Sequence, residues 1–235
     1  MSQAKPTLVV LTGAGISAES GIKTFRGNGG LWEGYRVEDV ATPDGWRKNF
    51  RQVLQFYNER RAGVCRATPN RGHLILAELE SDFDVHIVTQ NVDDLHERAG
   101  STQIIHLHGS LFSARSTKDP GLTYPIKGER LDEGELCSLG SQLRPDIVWF
   151  GEEVPLMYAA EKLASTAQAF LIVGTSLQVY PAAGLIWSVP QNVPVWVVDP
   201  GDPPIASRRS VRFFQEGAGS GMEKVRLDLK SYFSL

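Results

Sequence analysis

The chain has 235 residues, 42% of them hydrophobic and 22% charged, with a formal net charge of −3 and two cysteines. This is the composition of a soluble globular protein with room for one large core, or a core and a small subdomain. It argues against a basic nucleic-acid surface and a disulfide framework, and no apolar run approaches the ~20 residues of a membrane helix.

The first predicted strand, Thr7–Leu11, runs into Gly13-Ala14-Gly15. Glycines there permit a sharp turn and a close approach to a pyrophosphate, although an ordinary strand-to-helix turn uses the same residues. A dehydrogenase would add a second strand with an acidic end ~20 residues on. The sequence at that point, "GGLWEGYRVEDV", is not strand-like. Residues 27–82 read as loop and helix, with helices over Asn49–Val64 and His73–Glu80. The strand Val85–Thr89 opens into Gln90, Asn91, Asp93, Asp94 and His96, a cluster larger than a helix cap needs. A helix over Asp93–Ala99, capped by Asn91 or Asp93, would end at Gly100. In the strand Gln103–Leu107 and just beyond it, His106 and His108 stand two apart and so face one side. His108 ends its strand before Gly109 and is the better candidate for a base near neutral pH.

Residues 113–145 hold Ser, Lys, Gly, Pro and charge, with only short apolar pieces. A strand over Asp146–Phe150, a helix over Ala159–Ser165 and a strand over Ala169–Val173 follow. Gly174-Thr175-Ser176 then offers a second close approach to a phosphate or ribose, or a capped helix start. The final predicted strand is Val193–Val198. Val-rich and Ile-rich strands without clean alternation are those of a parallel sheet covered on both faces. The expected fold is therefore α/β, a Rossmann-like open parallel sheet with a smaller inserted subdomain. The large unit is drawn from 1–33, 83–112 and 146–235, and the small one from 34–82 and 113–145.

Five blocks in order, "GAGISAESGIKTFRG", "TQNVDDLHERAG", "HLHGS", "RPDIVWFGE" and "GTSLQVYPAAG", resemble the sirtuins, the Sir2 family of NAD-dependent protein-lysine deacylases. The likeness is to the bacterial deacylases and the mitochondrial desuccinylase type. It implies that Gly13, Ala14, Gly15 and Glu19 meet the cofactor, with Thr24, Phe25 and Arg26 in a lid over the nicotinamide end. Gln90, Asn91 and Asp93 would line the ribose and nicotinamide pocket, and Gly174, Thr175, Ser176, Asp199 and Ala218 the adenosine half. His108, with Asn91 and Asp93, would be catalytic, His108 acting as general base on the ribose hydroxyls. The family reaction transfers the acyl group of an acylated-lysine protein, giving free lysine, nicotinamide and 2′-O-acyl-ADP-ribose. Competing readings are a silent NAD-binding sensor and a protein ADP-ribosyltransferase. No nucleic-acid or membrane partner is expected, and the start "MSQAKPTLVVLTG" lacks a signal-peptide layout, so a cytoplasmic location is expected.

The resemblance also implies a substrate site. Val148, Phe150, Gly151 and Glu152 would pair with an extended peptide by strand addition. Ala41 would leave room for the acyl chain, and Tyr57 and Arg60, three apart on a helix, would hold a succinyl or malonyl carboxylate. Arg61 would point ~100° away. Two departures stand out. Family members commonly bind a structural zinc through four cysteines, whereas "LFSARSTKDPG" has Ser116 and "ELCSLGSQLRP" only Cys137. No metal ligands are assigned and zinc is expected to be absent. Packing by Leu111, Phe112, Leu122, Tyr124, Ile126, Leu131, Leu136 and Leu139 would hold the small unit instead. Asp199 stands where Asn is frequent, and it can still accept from ribose hydroxyls.

Overall fold

The computed structural model describes residues 4–24, 31–32, 34–205 and 210–235. β1 (Thr7–Thr12) leads into a short 3₁₀ helix, Ala14–Ser20. A small hairpin, β2 (Leu31–Trp32) and β3 (Tyr35–Arg36), precedes α1 (Val37–Val40), α2 (Pro43–Arg66) and α3 (Arg71–Leu79). β4 (Asp84–Thr89), α4 (Leu95–Ala99), β5 (Ile104–His106), β6 (Gly109–Ser116), β7 (Thr123–Pro125) and β8 (Leu143–Ile147) follow. The chain closes with α5 (Met157–Ala164), β9 (Ala169–Val173), a 3₁₀ helix at Ala182–Ser188, β10 (Val195–Val198), β11 (Val211–Phe214) and α6 (Ala218–Phe233).

The main sheet is six-stranded and parallel, in the order β11-β10-β9-β1-β4-β5. The inner strands β1, β9 and β10 are buried on both faces, which is why they lack polar alternation. Val9, Leu11, Phe170, Ile172, Val195 and Val197 meet α5 and the 182–188 helix on one side. Leu8, Val10, Leu171, Trp196 and Val198 meet α3 and α6 on the other. Each such apolar side chain, fully buried, contributes about 1.5–3 kcal/mol relative to exposure. The chain builds outward from β1 through β4 and β5, then returns to build outward through β9, β10 and β11. The order therefore reverses between β1 and β9, and the crevice beyond their carboxyl ends is where open α/β sheets bind ligands.

The smaller unit joins α1, α2 and the β2–β3 hairpin to a separate antiparallel sheet, β7-β6-β8. Thr42 caps α2 by accepting from Gly45 N (3.0 Å). The helix kinks at Asn49, whose side chain accepts from Gln52 N (3.3 Å) and starts the segment expected from the sequence. Asn70 caps α3, and Gly100, at φ 102°, ends α4.

Four expectations are corrected. The stretch "GGLWEGYRVEDV", expected to hold no strand, carries the short antiparallel hairpin β2–β3, in a two-stranded sheet separate from the main one. Asp146–Phe150 is not a main-sheet strand: β8 ends at Ile147 and pairs antiparallel with β6, from Gly109↔Ile147 to Ser116↔Leu143. The turn lies at Gly109 (φ +81°), where an added Cβ would meet Asp146 O at 1.9 Å. The helix 71–79, placed by sequence in the small unit, buries Ile75, Leu76 and Leu79 against the main sheet. Leu136 and Leu139 are 55% and 49% exposed, because the tight turn between them directs Cys137 inward instead.

Candidate active site

At the switch point the two glycine loops interlock. Gly13 N donates to Val173 O (3.1 Å) and Gly15 N to Gly174 O (2.8 Å). A Cβ on Gly15 would lie 2.7 Å from Gly174 Cα, and Gly174 itself takes φ +63°, so neither position accommodates a larger residue without movement. Gln90, at the end of β4, donates to Thr175 Oγ1 (3.0 Å) and links the expected nicotinamide and adenosine halves. Ala14 starts the first 3₁₀ helix beside this junction, and Ser176 is half-buried after Thr175. Glu19 turns to α6, where its carboxylate accepts from Gly219 N (3.1 and 3.3 Å) beside Ala218. That carboxylate complements the positive end of the helix. Asp199 is 2% exposed and accepts from Gly201 N (2.7 Å). Thr24 is half-buried, while Phe25 and Arg26 lie outside the described residues.

Asn91 and Asp93 are drawn together by a residue that the sequence reading did not single out. Ser17 Oγ donates to Asp93 Oδ2 (3.0 Å) and accepts from Asn91 Nδ2 (3.1 Å), while Leu95 N donates to Asp93 Oδ1 (3.2 Å). Burial raises the Asp93 carboxyl above its ordinary range, against these hydrogen bonds. Ser17 lies inside the 3₁₀ helix Ala14–Ser20, and nothing in its spacing along the chain marks it as the partner of Asn91 and Asp93.

The two histidines grip the same loop. His106 Nδ1 lies 3.1 Å from Asn91 O and His108 Nδ1 3.0 Å from Gln90 O. A carbonyl only accepts, so each Nδ1 carries a hydrogen. His106 Nε2 also meets Glu97 Oε1 at 2.6 Å. Burial disfavours its charge, but Glu97 outweighs that and raises His106 above the ordinary histidine value. His108 has no such carboxylate, and burial lowers it. Its Nε2 has no hydrogen-bond partner among the described residues. The result is a neutral imidazole with a fixed tautomer and a bare Nε2, the form a general base requires.

The expected substrate residues adjoin this base. Val148 N donates to His108 O (2.9 Å) and Phe150 N to Ala41 O (3.0 Å), so one short segment ties the base to the expected acyl pocket. Trp149 N donates to Glu152 Oε2 (2.9 Å). These three N–H groups are therefore engaged within the protein. Glu152 faces inward, bridging Arg144 (2.7 Å) and Arg115 (2.9 Å), whereas Gly151 (φ +89°) and Phe150 are exposed. Ala41 and Tyr57 are buried in one cluster with Trp149. Arg60 lies over the Trp32 ring, 4.1 Å from its centroid, and its charge acts on Tyr57. Burial nevertheless pushes the Tyr57 phenol well up, so it stays protonated. Arg61 is buried and serves the scaffold, donating to Leu111 O, Asn58 Oδ1 (2.7 Å) and Glu129 O (3.2 Å).

In the small sheet, Ser116 Oγ meets Ser141 Oγ (3.0 Å), which meets Cys137 Sγ (3.1 Å). This donor set of two hydroxyls and one thiol does not fit a tetrahedral zinc site. No cluster of three or more His, Cys, Asp or Glu that could hold a metal occurs among the described residues. None of their helices is long and apolar enough to cross a membrane.

A glycine-lined crevice at a sheet switch point, with a fixed neutral imidazole at its side, defines a nucleotide-dependent enzyme of the α/β class. The Sir2 family model matches residues 13–181, and the chain belongs to the Sir2 family. It is 52% identical over 216 residues to an NAD-dependent protein deacylase of Helicobacter pylori strain J99, covering 92% of each chain. It is 50% identical over 224 residues to one of Bacteroides thetaiotaomicron, covering 93% of this chain and 96% of that one. A crystal structure of a Sir2 homologue with NAD superposes at TM-score 0.84, with 38% identity over 97% of this chain and 91% of that one. A Sir2 complex with a p53 peptide and NAD gives TM-score 0.80, with 29% identity over 97% and 95%.

Proposed function

We propose that this protein is an NAD-dependent protein-lysine deacylase that removes acetyl groups and also succinyl and malonyl groups. The observation that carries the reading is His108, with Nδ1–H fixed on Gln90 O and Nε2 bare, beside a crevice whose glycines allow close approach of a pyrophosphate. Bound there, NAD supplies a ribose carbon that accepts the acyl oxygen as nicotinamide departs. Gly13, Gly15 and Gly174 hold the phosphates, with Gln90, Asn91 and Asp93 toward the nicotinamide end and Thr175, Ser176 and Asp199 toward the adenosine. Glu19 and Ala218 support that half from the α6 terminus. His108 Nε2 takes a proton from a ribose hydroxyl. The buried Asp93, held by Ser17, orients Asn91.

Ala41 leaves space for an acyl chain, and Tyr57 and Arg60 meet its carboxylate as a neutral donor and a cation. Val148 and Phe150 present carbonyls to the peptide backbone. The protein works without structural zinc and in the cytoplasm. Incubation with NAD and peptides bearing acetyl-lysine, succinyl-lysine or malonyl-lysine, followed by mass analysis, tests the reading. Loss of the acyl group supports it. Gain of ADP-ribose on the peptide or protein would favour a transferase, and no change would favour a sensor.

A further inference from the structure

We propose that Trp149 is a positioning residue that sets the direction in which Tyr57 donates its hydroxyl hydrogen, and thereby tunes the enzyme toward acyl chains ending in a carboxylate. The inference rests on the acyl-pocket reading above. An indole N–H can only donate, and Trp149 Nε1 lies 2.9 Å from Tyr57 Oη. Both residues are buried, at 2% and 0% exposure. The phenol oxygen therefore accepts on its Trp149 side, and its own hydrogen must point elsewhere. Among the described residues that hydrogen has no acceptor. A carboxylate is acceptor-only and completes the phenol, while an acetyl methyl does not.

Trp149 is itself held on several sides. The Arg144 guanidinium lies 3.3 Å from the ring centroid, and Trp46 packs at 5.8 Å. Arg144 is fixed by Glu152 (2.7 and 3.0 Å) and Ile147 O (2.8 Å). The backbone on either side of Trp149 is tied to His108 O and Ala41 O. The same segment thus places the base, the pocket alanine and the donor direction of Tyr57 in one register.

The test is Trp149→Phe, which keeps an aromatic ring for Arg144 but removes the N–H together with part of the indole's volume, a packing loss that the comparison of two substrates and two backgrounds cancels. Steady-state kinetics on matched succinyl-lysine and acetyl-lysine peptides at saturating NAD would be compared. The succinyl KM should rise roughly 2–10-fold, the scale of one hydrogen bond, and the succinyl-to-acetyl ratio of kcat/KM should fall in step. On a Tyr57→Phe background the same substitution should no longer change the ratio, because Trp149 acts through the phenol. An unchanged ratio, or an equal fall on both backgrounds, overturns the inference. Failure of Trp149→Phe to fold leaves a second measurement on the intact tryptophan. The Trp149 indole N–H resonance should shift in Tyr57→Phe, and should shift more with succinyl-lysine peptide than with acetyl-lysine peptide. Absence of either shift also overturns it. Wild-type protein that removes acetyl but not succinyl groups removes the pocket reading, and this inference with it. Desuccinylation untouched by Trp149→Phe removes this inference alone.

Discussion

Replacing His108 with alanine removes the proposed base and one hydrogen bond, from Nδ1 to Gln90 O at 3.0 Å. The structural cost is that single bond at a half-buried position, about 0.5–1.5 kcal/mol. Against a typical stability of about 5–15 kcal/mol the variant stays folded. Phosphate contacts are assigned to Gly13, Gly15 and Gly174, so NAD affinity should fall little. The rate of deacylation should fall about 10²–10⁴-fold, the usual contribution of a positioned base. In wild-type protein, protonating His108 removes the base, so kcat/KM falls as pH drops through its value. Burial lowers that value, so the acid limb should have its midpoint below the ordinary 6.5 and should vanish with the mutation. The assay is peptide deacylation from pH 4.5 to 8, with thermal melting and NAD titration as controls. Near-normal deacylation by the variant, or an acid limb that survives in it, would refute the assignment.

Arg60→Met should lower desuccinylation well beyond deacetylation, since only the succinyl chain presents a carboxylate to the lost cation; equal losses on both peptides would count against the pocket. Metal analysis should find no stoichiometric zinc, given the Ser116, Ser141 and Cys137 set, and about one tightly held zinc per chain would contradict that reading. Burial lowers His73 to about 4 from 6.5, so protonation favours the unfolded chain. Its contribution is intact above pH 6.5 and is lost as the pH falls toward 4, by about 3 kcal/mol. His96 and His108 act in the same direction, and His106, raised by Glu97, opposes them. Urea melts should therefore weaken from pH 7 to pH 4, and a flat profile would show that the buried imidazoles do not control acid stability.

Much of the main sheet was legible because strands buried on both faces have an unambiguous composition. β1, β4, β9 and β10 fall within two residues of the expected runs. The run at 146–150 misled because apolar content does not distinguish a central parallel strand from an antiparallel one beside it. The deciding feature was the positive φ of Gly109, a property of the folded turn. α3 was assigned to the wrong unit because its apolar face is the same whichever core receives it. α6 carries a helical signal of its own in the sequence: Met222, Val225 and Leu229 stand three and four apart and all are buried. Of the expected site, the motif blocks name residues but not their partners. That Ser17 joins Asn91 to Asp93, and Trp149 meets Tyr57 across 92 positions, depends on contacts distant in sequence.

The fate of the acyl group tests the central claim most directly. A succinyl-lysine peptide carrying a labelled succinyl group, incubated with NAD and the protein, should yield one nicotinamide and one labelled O-succinyl-ADP-ribose for each lysine freed. Label recovered as free succinate from the outset, or nicotinamide released at the same rate without acylated peptide, would contradict the account.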